Sequence, residues 1–136
     1  MPIAKVNGIN LAYDVSGQGE PLVLIMGLGA ESGDWILQGR AFKKHFRVIT
    51  FDSRGVGKSD KTSESYTIKT MADDVISLMD HLGVDKAHVL GVSMGGMIAQ
   101  EIAIDYPERV RKLILVSTTP GRDEKGGHFP ELLNAM

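Results

Sequence analysis

Ser93 stands in Val89-Leu90-Gly91-Val92-Ser93-Met94-Gly95-Gly96, an apolar run that ends in Gly-x-Ser-x-Gly and passes directly into a helical pattern. A serine at the tip of a sharp strand-to-helix turn takes a strained backbone conformation that lifts its hydroxyl clear of the sheet, where it can act as a nucleophile. Gly91 and Gly95 flank it where any β-carbon would collide with the facing strand or helix, and Gly96 lets the new helix lie close on the sheet. The helix N-terminus points its positive dipole end at the serine. Together with the backbone N–H of Met94, it is placed to stabilise an anionic tetrahedral intermediate. The same five residues could also form a plain tight turn. Their setting, between the strand-like run Ala87 to Val92 and the patterned helix Met94 to Tyr106, favours the chemical reading.

The elements that must position this turn follow from the apolar patterning. Ile3 to Val6 and Ile9 to Val15, separated by Asn7-Gly8, alternate apolar and polar residues as an antiparallel hairpin at a sheet edge does. Leu22 to Met26 and Phe46 to Phe51 are continuous apolar runs, the pattern of parallel strands covered on both faces. Between them lie the flexible loop Gly27-Leu28-Gly29-Ala30 and a helix through Trp35 and Phe42, with Ser32 as its expected N-cap. Ile68, Met71, Ala72, Val75, Leu78, Met79 and Leu82 recur at helical spacing, and Gly83 sits where a left-handed cap would end that helix. Arg111 to Ser117 is a last apolar strand before a polar, glycine-rich tail.

With 136 residues, 43% hydrophobic, 24% charged and a net charge of −2, the chain has the make-up of one globular domain; disordered and fibrous classes are excluded. Its scattered Lys and Arg argue against nucleic acid or an anionic membrane as the main partner, and for a substrate without high charge. The absence of cysteine removes disulfides and thiolate metal sites; no run has the length of a membrane span, and the N-terminus has no apolar signal core. A cytoplasmic protein without metal or cofactor is therefore expected.

Two other glycine loops invite a nucleotide-binding reading. Gly55-Val56-Gly57-Lys58-Ser59 ends like a phosphate-binding loop, but Asp52 stands where that motif needs its first glycine, and a polar stretch follows instead of a helix. Gly27-Leu28-Gly29 lies between strand and helix as a dinucleotide fingerprint would, with Ser32 in place of the third glycine. A base for Ser93 is also hard to find among the histidines. His45 precedes a strand, His81 closes a helix, His88 begins the elbow strand at the end remote from Ser93, and His128 lies in the tail.

From Ile3 to about Thr119 the chain resembles the α/β-hydrolase superfamily, in particular its bacterial esterase, enol-lactonase and perhydrolase-like branch. Three linked motifs carry the resemblance: Gly27-Leu28-Gly29, Asp52-Ser53-Arg54-Gly55-Val56-Gly57-Lys58-Ser59 and Gly91-Val92-Ser93-Met94-Gly95-Gly96. It implies a mostly parallel sheet of order 1-2-4-3-5-6 with helices on both faces. Ser93 would be the nucleophile, and the backbone N–H groups of Leu28 and Met94 the oxyanion hole. Gly27, Gly29, Arg54 and Gly55 would line or shape the site. Met26 stands where relatives often carry histidine, and a serine nucleophile disfavours the dehalogenase and epoxide-hydrolase branches, which use aspartate. Relatives continue with a cap, further strands, an acid and a histidine. The expectation is thus a single partial domain, 1–136, lacking the cap, the C-terminal strands and the triad's Asp and His, with 120–136 the start of a cap or a flexible tail. Asp123, past the sixth strand, reads as a solvated loop residue. The implied function is hydrolysis of a small ester or lactone through an acyl-serine. The alternatives are a non-catalytic binding or interaction protein on the same scaffold, or a nucleotide-binding domain. The open edge Lys112 to Val116 is expected to recruit a second copy or a C-terminal part.

Overall fold

A computed structural model describes residues 1–63 and 65–120. It opens with a hairpin of β1 (Ile3–Val6) and β2 (Ile9–Ser16), in register Ile3 with Ala12 and Val6 with Ile9. Asn7 and Gly8 turn the chain with φ of 47° and 79°, the pair of positive angles that suits Asn-Gly and matches the twist of the strands. β3 (Glu20–Ile25), β4 (Phe46–Phe51), β5 (Ala87–Val92) and β6 (Val110–Val116) are mutually parallel, β2 joins them antiparallel through β4, and the sheet order is β1-β2-β4-β3-β5-β6. This is the expected order.

The central strands bury both faces because their side chains alternate between two cores. Val23, Ile25, Ile49 and Val89 face α2 (Ile68–His81) and α3 (Met94–Asp105), whose contributions include Met71, Val75, Leu78, Ile98 and Ile102. Leu22, Leu24 and Val48 face the other way, against Trp35 and the partly buried Phe42 of α1 (Ile36–Phe42). α2 starts where the Thr67 side chain accepts from Thr70 N–H (3.0 Å) and stops before Gly83 at φ 68°, the left-handed cap expected there.

The entry to α1 differs from expectation. A short 3-10 turn, Ser32–Trp35, precedes the helix; Glu31, not Ser32, is its cap, with Asp34 Oδ2 accepting from the Glu31 N–H at 3.0 Å. Ser32 is diverted because its own N–H donates to Asp52 (2.9 Å).

β6 forms one edge of the sheet among the described residues, with β1 at the other. Leu113, Ile114, Leu115 and Val116 keep 37%, 40%, 42% and 41% of their surface exposed, so neither face of this strand is fully covered. No helix of the described residues is long and apolar enough to cross a membrane. The tail expectation, together with Asp123 and His128, lies outside the described residues.

Candidate active site

Four parallel strands end on one edge of the sheet, the place where open α/β sheets present loops to ligands. Ser93 projects there from the end of β5, exposed, with φ 56° and ψ −121°. A non-glycine residue in that region is strained by about 1–3 kcal/mol and persists only where its surroundings over-determine it. Here they do. The Ser93 N–H donates to the Val116 carbonyl (3.0 Å), and the Ser93 carbonyl accepts from the Gly96 N–H (2.9 Å) and the Thr118 hydroxyl (2.6 Å). Gln100 completes the clamp by donating to the Gly96 and Thr119 carbonyls (3.1 and 2.9 Å). The exit of β6 thus holds the turn from one side.

Glycines hold it from the other. A β-carbon on Gly95 would fall on the carbonyl oxygen of Ile25, and one on Gly91 would fall on that of Gly95, so strand β3, strand β5 and helix α3 meet with no room for a side chain. A β-carbon on Gly96 would strike Thr118. Gly27 lies directly beside the serine: its absent β-carbon would stand 3.2 Å from Ser93 Cβ and 3.7 Å from Oγ. The loop Gly27-Leu28-Gly29-Ala30 closes with a bond from Ala30 N–H to the Gly27 carbonyl (3.3 Å), with Gly29 at φ 70° and Leu28 40% exposed. Met94 is the first residue of α3, where a helix leaves its N–H without an intrahelical acceptor.

The loop after β4 supports the glycine loop from below. Asp52 is buried, and its carboxylate accepts from the Ser32 N–H (2.9 Å) and the Lys58 N–H (3.0 Å), joining the two loops. Burial pushes this carboxyl up, but the backbone donors Lys58 and Ser32 outweigh it and hold it below the usual aspartate range. Gly57 has no room for a β-carbon because this carboxylate fills the space. An anionic carboxylate therefore occupies the space inside this loop, which disfavours phosphate binding there.

Arg54, expected to help line the site, shapes it from a distance. Its guanidinium is buried and donates to both oxygens of Asp74 on α2 (2.9 and 2.8 Å) and, at 3.4 Å, to the Asn7 carbonyl. Gly55, at φ 85°, packs under the Tyr66 ring. Sequence reasoning missed Asp52, Thr118 and Gln100 as supports. Asp52 had a signal, since an acidic residue ending an apolar strand needs donors; the other two had none.

Two described histidines, His45 and His88, lie at the opposite end of the strands, whereas His81 lies beside Tyr13, which pairs with Phe51 at the end of β4. His45 precedes β4, His81 ends α2 with its ring edge-on to Tyr13 (6.0 Å), and His88 pairs with Glu20. His88 precedes Ser93 by five strand residues, about 17 Å of chain. Among the described residues no group of His, Asp and Glu could hold a metal ion.

The sequence profile described as alpha/beta hydrolase fold matches residues 20–133. A putative carbamate hydrolase, RutD, of Azorhizobium caulinodans is 38% identical over 117 residues, which are 86% of this chain and 44% of that protein. A soluble epoxide hydrolase of a Corynebacterium species is 37% identical over 127 residues, 93% of this chain and 44% of that protein. Among solved structures, the enol-lactonase of Burkholderia xenovorans LB400 superposes with a TM-score of 0.86 at 36% identity, covering 89% of this chain and 48% of that one. The chain thus spans less than half the length of these relatives.

Proposed function

The chain belongs to the α/β-hydrolase fold family, and from that premise we propose that it carries the nucleophile and oxyanion hole of a serine hydrolase acting on a small, mostly uncharged ester or lactone. The observation that carries this reading is the strained, exposed Ser93 beside Gly27. In the proposed reaction the Ser93 oxygen attacks the substrate carbonyl carbon. The resulting oxyanion is held by the N–H groups of Leu28 and Met94; the base takes the Ser93 hydroxyl proton and returns it to the leaving-group oxygen as the C–O bond breaks, leaving an acyl-Ser93 that water hydrolyses to the acid, restoring the hydroxyl. Gly27 leaves the space a carbonyl needs next to the hydroxyl. An epoxide route of the aspartate kind needs a carboxylate at position 93, where this chain has serine.

The triad's base and acid lie outside the described residues in this reading. The 136-residue chain alone should then retain only the oxyanion-hole and binding contribution, roughly 10³–10⁴ over water, and lack the further several orders that a base supplies. Association through the Lys112–Val116 edge, with a second copy or a C-terminal part, belongs to the same reading, as does action in the cytoplasm without a cofactor. The placement of His45 and His88 at the far end of the strands also favours a second reading, a non-catalytic binding protein on this scaffold. A panel of short-chain esters and lactones, assayed with the intact natural protein that carries this chain and with its Ser93→Ala variant, separates the two. The serine-hydrolase reading expects turnover that Ser93→Ala abolishes; a folded protein with no turnover at all favours the second.

A further inference from the structure

The chain leaves β6 through a second strained residue. Ser117 has φ 47°, a left-handed angle that a non-glycine residue holds only where its surroundings fix it. Val116 pairs with Val92 across the parallel ladder, so Ser117 and Ser93 stand side by side where β6 and β5 end. The turn at Ser117 brings Thr118 onto the elbow, where its hydroxyl donates to the Ser93 carbonyl at 2.6 Å; the Thr119 carbonyl, at 3.3 Å, is the more distant acceptor. Gly96 makes the space for this side chain, since a β-carbon there would stand 2.5 Å from Thr118 Cβ and Oγ1. Gln100 fixes the next residue by donating to the Thr119 carbonyl (2.9 Å).

The Ser93 carbonyl and the Met94 N–H belong to one peptide group. That group is planar and trans, so its C=O and N–H point in opposite directions, and whatever holds the oxygen also sets the direction of the hydrogen. Met94 begins α3, where its N–H has no intrahelical acceptor, and it is one of the two donors assigned above to the oxyanion. Two groups hold the carbonyl: the Gly96 N–H of α3 (2.9 Å) and the Thr118 hydroxyl, which arrives from the neighbouring strand. A hydroxyl that donates to an amide oxygen also polarises the amide and makes its N–H the stronger donor. We propose that Thr118 is a positioning residue for the oxyanion hole: through the Ser93 carbonyl it aims and polarises the Met94 N–H. The inference rests on the serine-hydrolase reading of Ser93 and adds to it a side chain that acts through the backbone.

The test uses the intact natural protein that carries this chain and the short-chain ester or lactone that it turns over fastest. Thr118→Val keeps the branched shape beside Gly96 and removes the donor, whereas Thr118→Ser keeps the donor. An oxyanion forms in acylation and in deacylation but not in the bound substrate, so loss of its positioning lowers kcat and leaves KM in place. Thr118→Val should lower kcat about three- to tenfold, the range that one neutral hydrogen bond spans, with KM changed by less than about twofold. A boronic acid that forms a tetrahedral adduct on Ser93 should lose affinity by the same factor, and Thr118→Ser should restore both. Circular dichroism checks that each variant is folded; if Thr118→Val does not fold, Thr118→Ala takes its place with the same expectation. Unchanged kcat in the folded variant, a loss carried by KM, or a Thr118→Ser variant as slow as Thr118→Val overturns the proposal, while a fluorophosphonate adduct on Ser93 of the wild type keeps the serine-hydrolase reading standing. A wild type that gives neither adduct nor turnover overturns that reading, and this proposal with it.

Discussion

Replacing Asp74 with alanine tests how the loop after β4 is anchored. Asp74 and Arg54 have side chains 3% and 6% exposed, and two short charge-assisted bonds join them while Asn7 donates to Asp74 at 2.8 Å. Asp74→Ala leaves the guanidinium buried without that carboxylate, a change that costs about 3–5 kcal/mol because the desolvation already incurred is no longer offset. With about 2.1 cal/mol/K of unfolding entropy per residue, about 120 ordered residues give roughly 0.25 kcal/mol/K, so the melting temperature should fall by about 12–20 °C. The paired substitution Arg54→Met with Asp74→Leu removes both charges and should recover most of the loss. Thermal and urea unfolding followed by circular dichroism measure both. A loss under about 1 kcal/mol for Asp74→Ala, or a double variant no better than the single, would refute the reasoning.

Asp73 gives the contrast: it joins Lys69 and Tyr106 at the surface, and Asp73→Asn should cost no more than about 1 kcal/mol in urea unfolding. Gly95→Ala should cost more than about 4 kcal/mol or prevent folding, because its β-carbon meets the Ile25 carbonyl; Gly29→Ala, in open space at φ 70°, should cost about 1–2 kcal/mol, and equal costs would contradict the packing account. Asp52, held below its ordinary value, contributes stability that is fully present above the unfolded pKa of about 4 and is lost as pH falls through the folded value. The stability gap between wild type and Asp52→Asn should therefore be widest above pH 5 and shrink on acidification; a pH-independent gap would refute it.

The sequence made the sheet legible because buried parallel strands are continuous apolar runs, and α2 because its apolar residues recur at helical spacing up to Gly83. It made Ser93 legible because the elbow needs small residues at fixed positions, and Gly91, Gly95 and Gly96 each sit where a side chain has no room. What stayed hidden was long-range. Ser32 resembled a cap but gives its N–H to Asp52, twenty residues away, and Arg54, in the loop after β4, is fixed by Asp74 on α2. Local propensity does not encode such partners. Thr118 and Gln100 hold the elbow through backbone carbonyls, contacts that any hydrogen-bonding side chain could make and that leave no motif.

The central claim is that the Ser93 oxygen forms the covalent bond to the acyl group. The most direct measurement is to treat the intact natural protein that carries this chain with a fluorophosphonate and to locate the adduct by peptide mass spectrometry. The account predicts a single adduct on Ser93, lost in Ser93→Ala together with ester or lactone turnover. An adduct on any other residue, or turnover unchanged in Ser93→Ala, would contradict it.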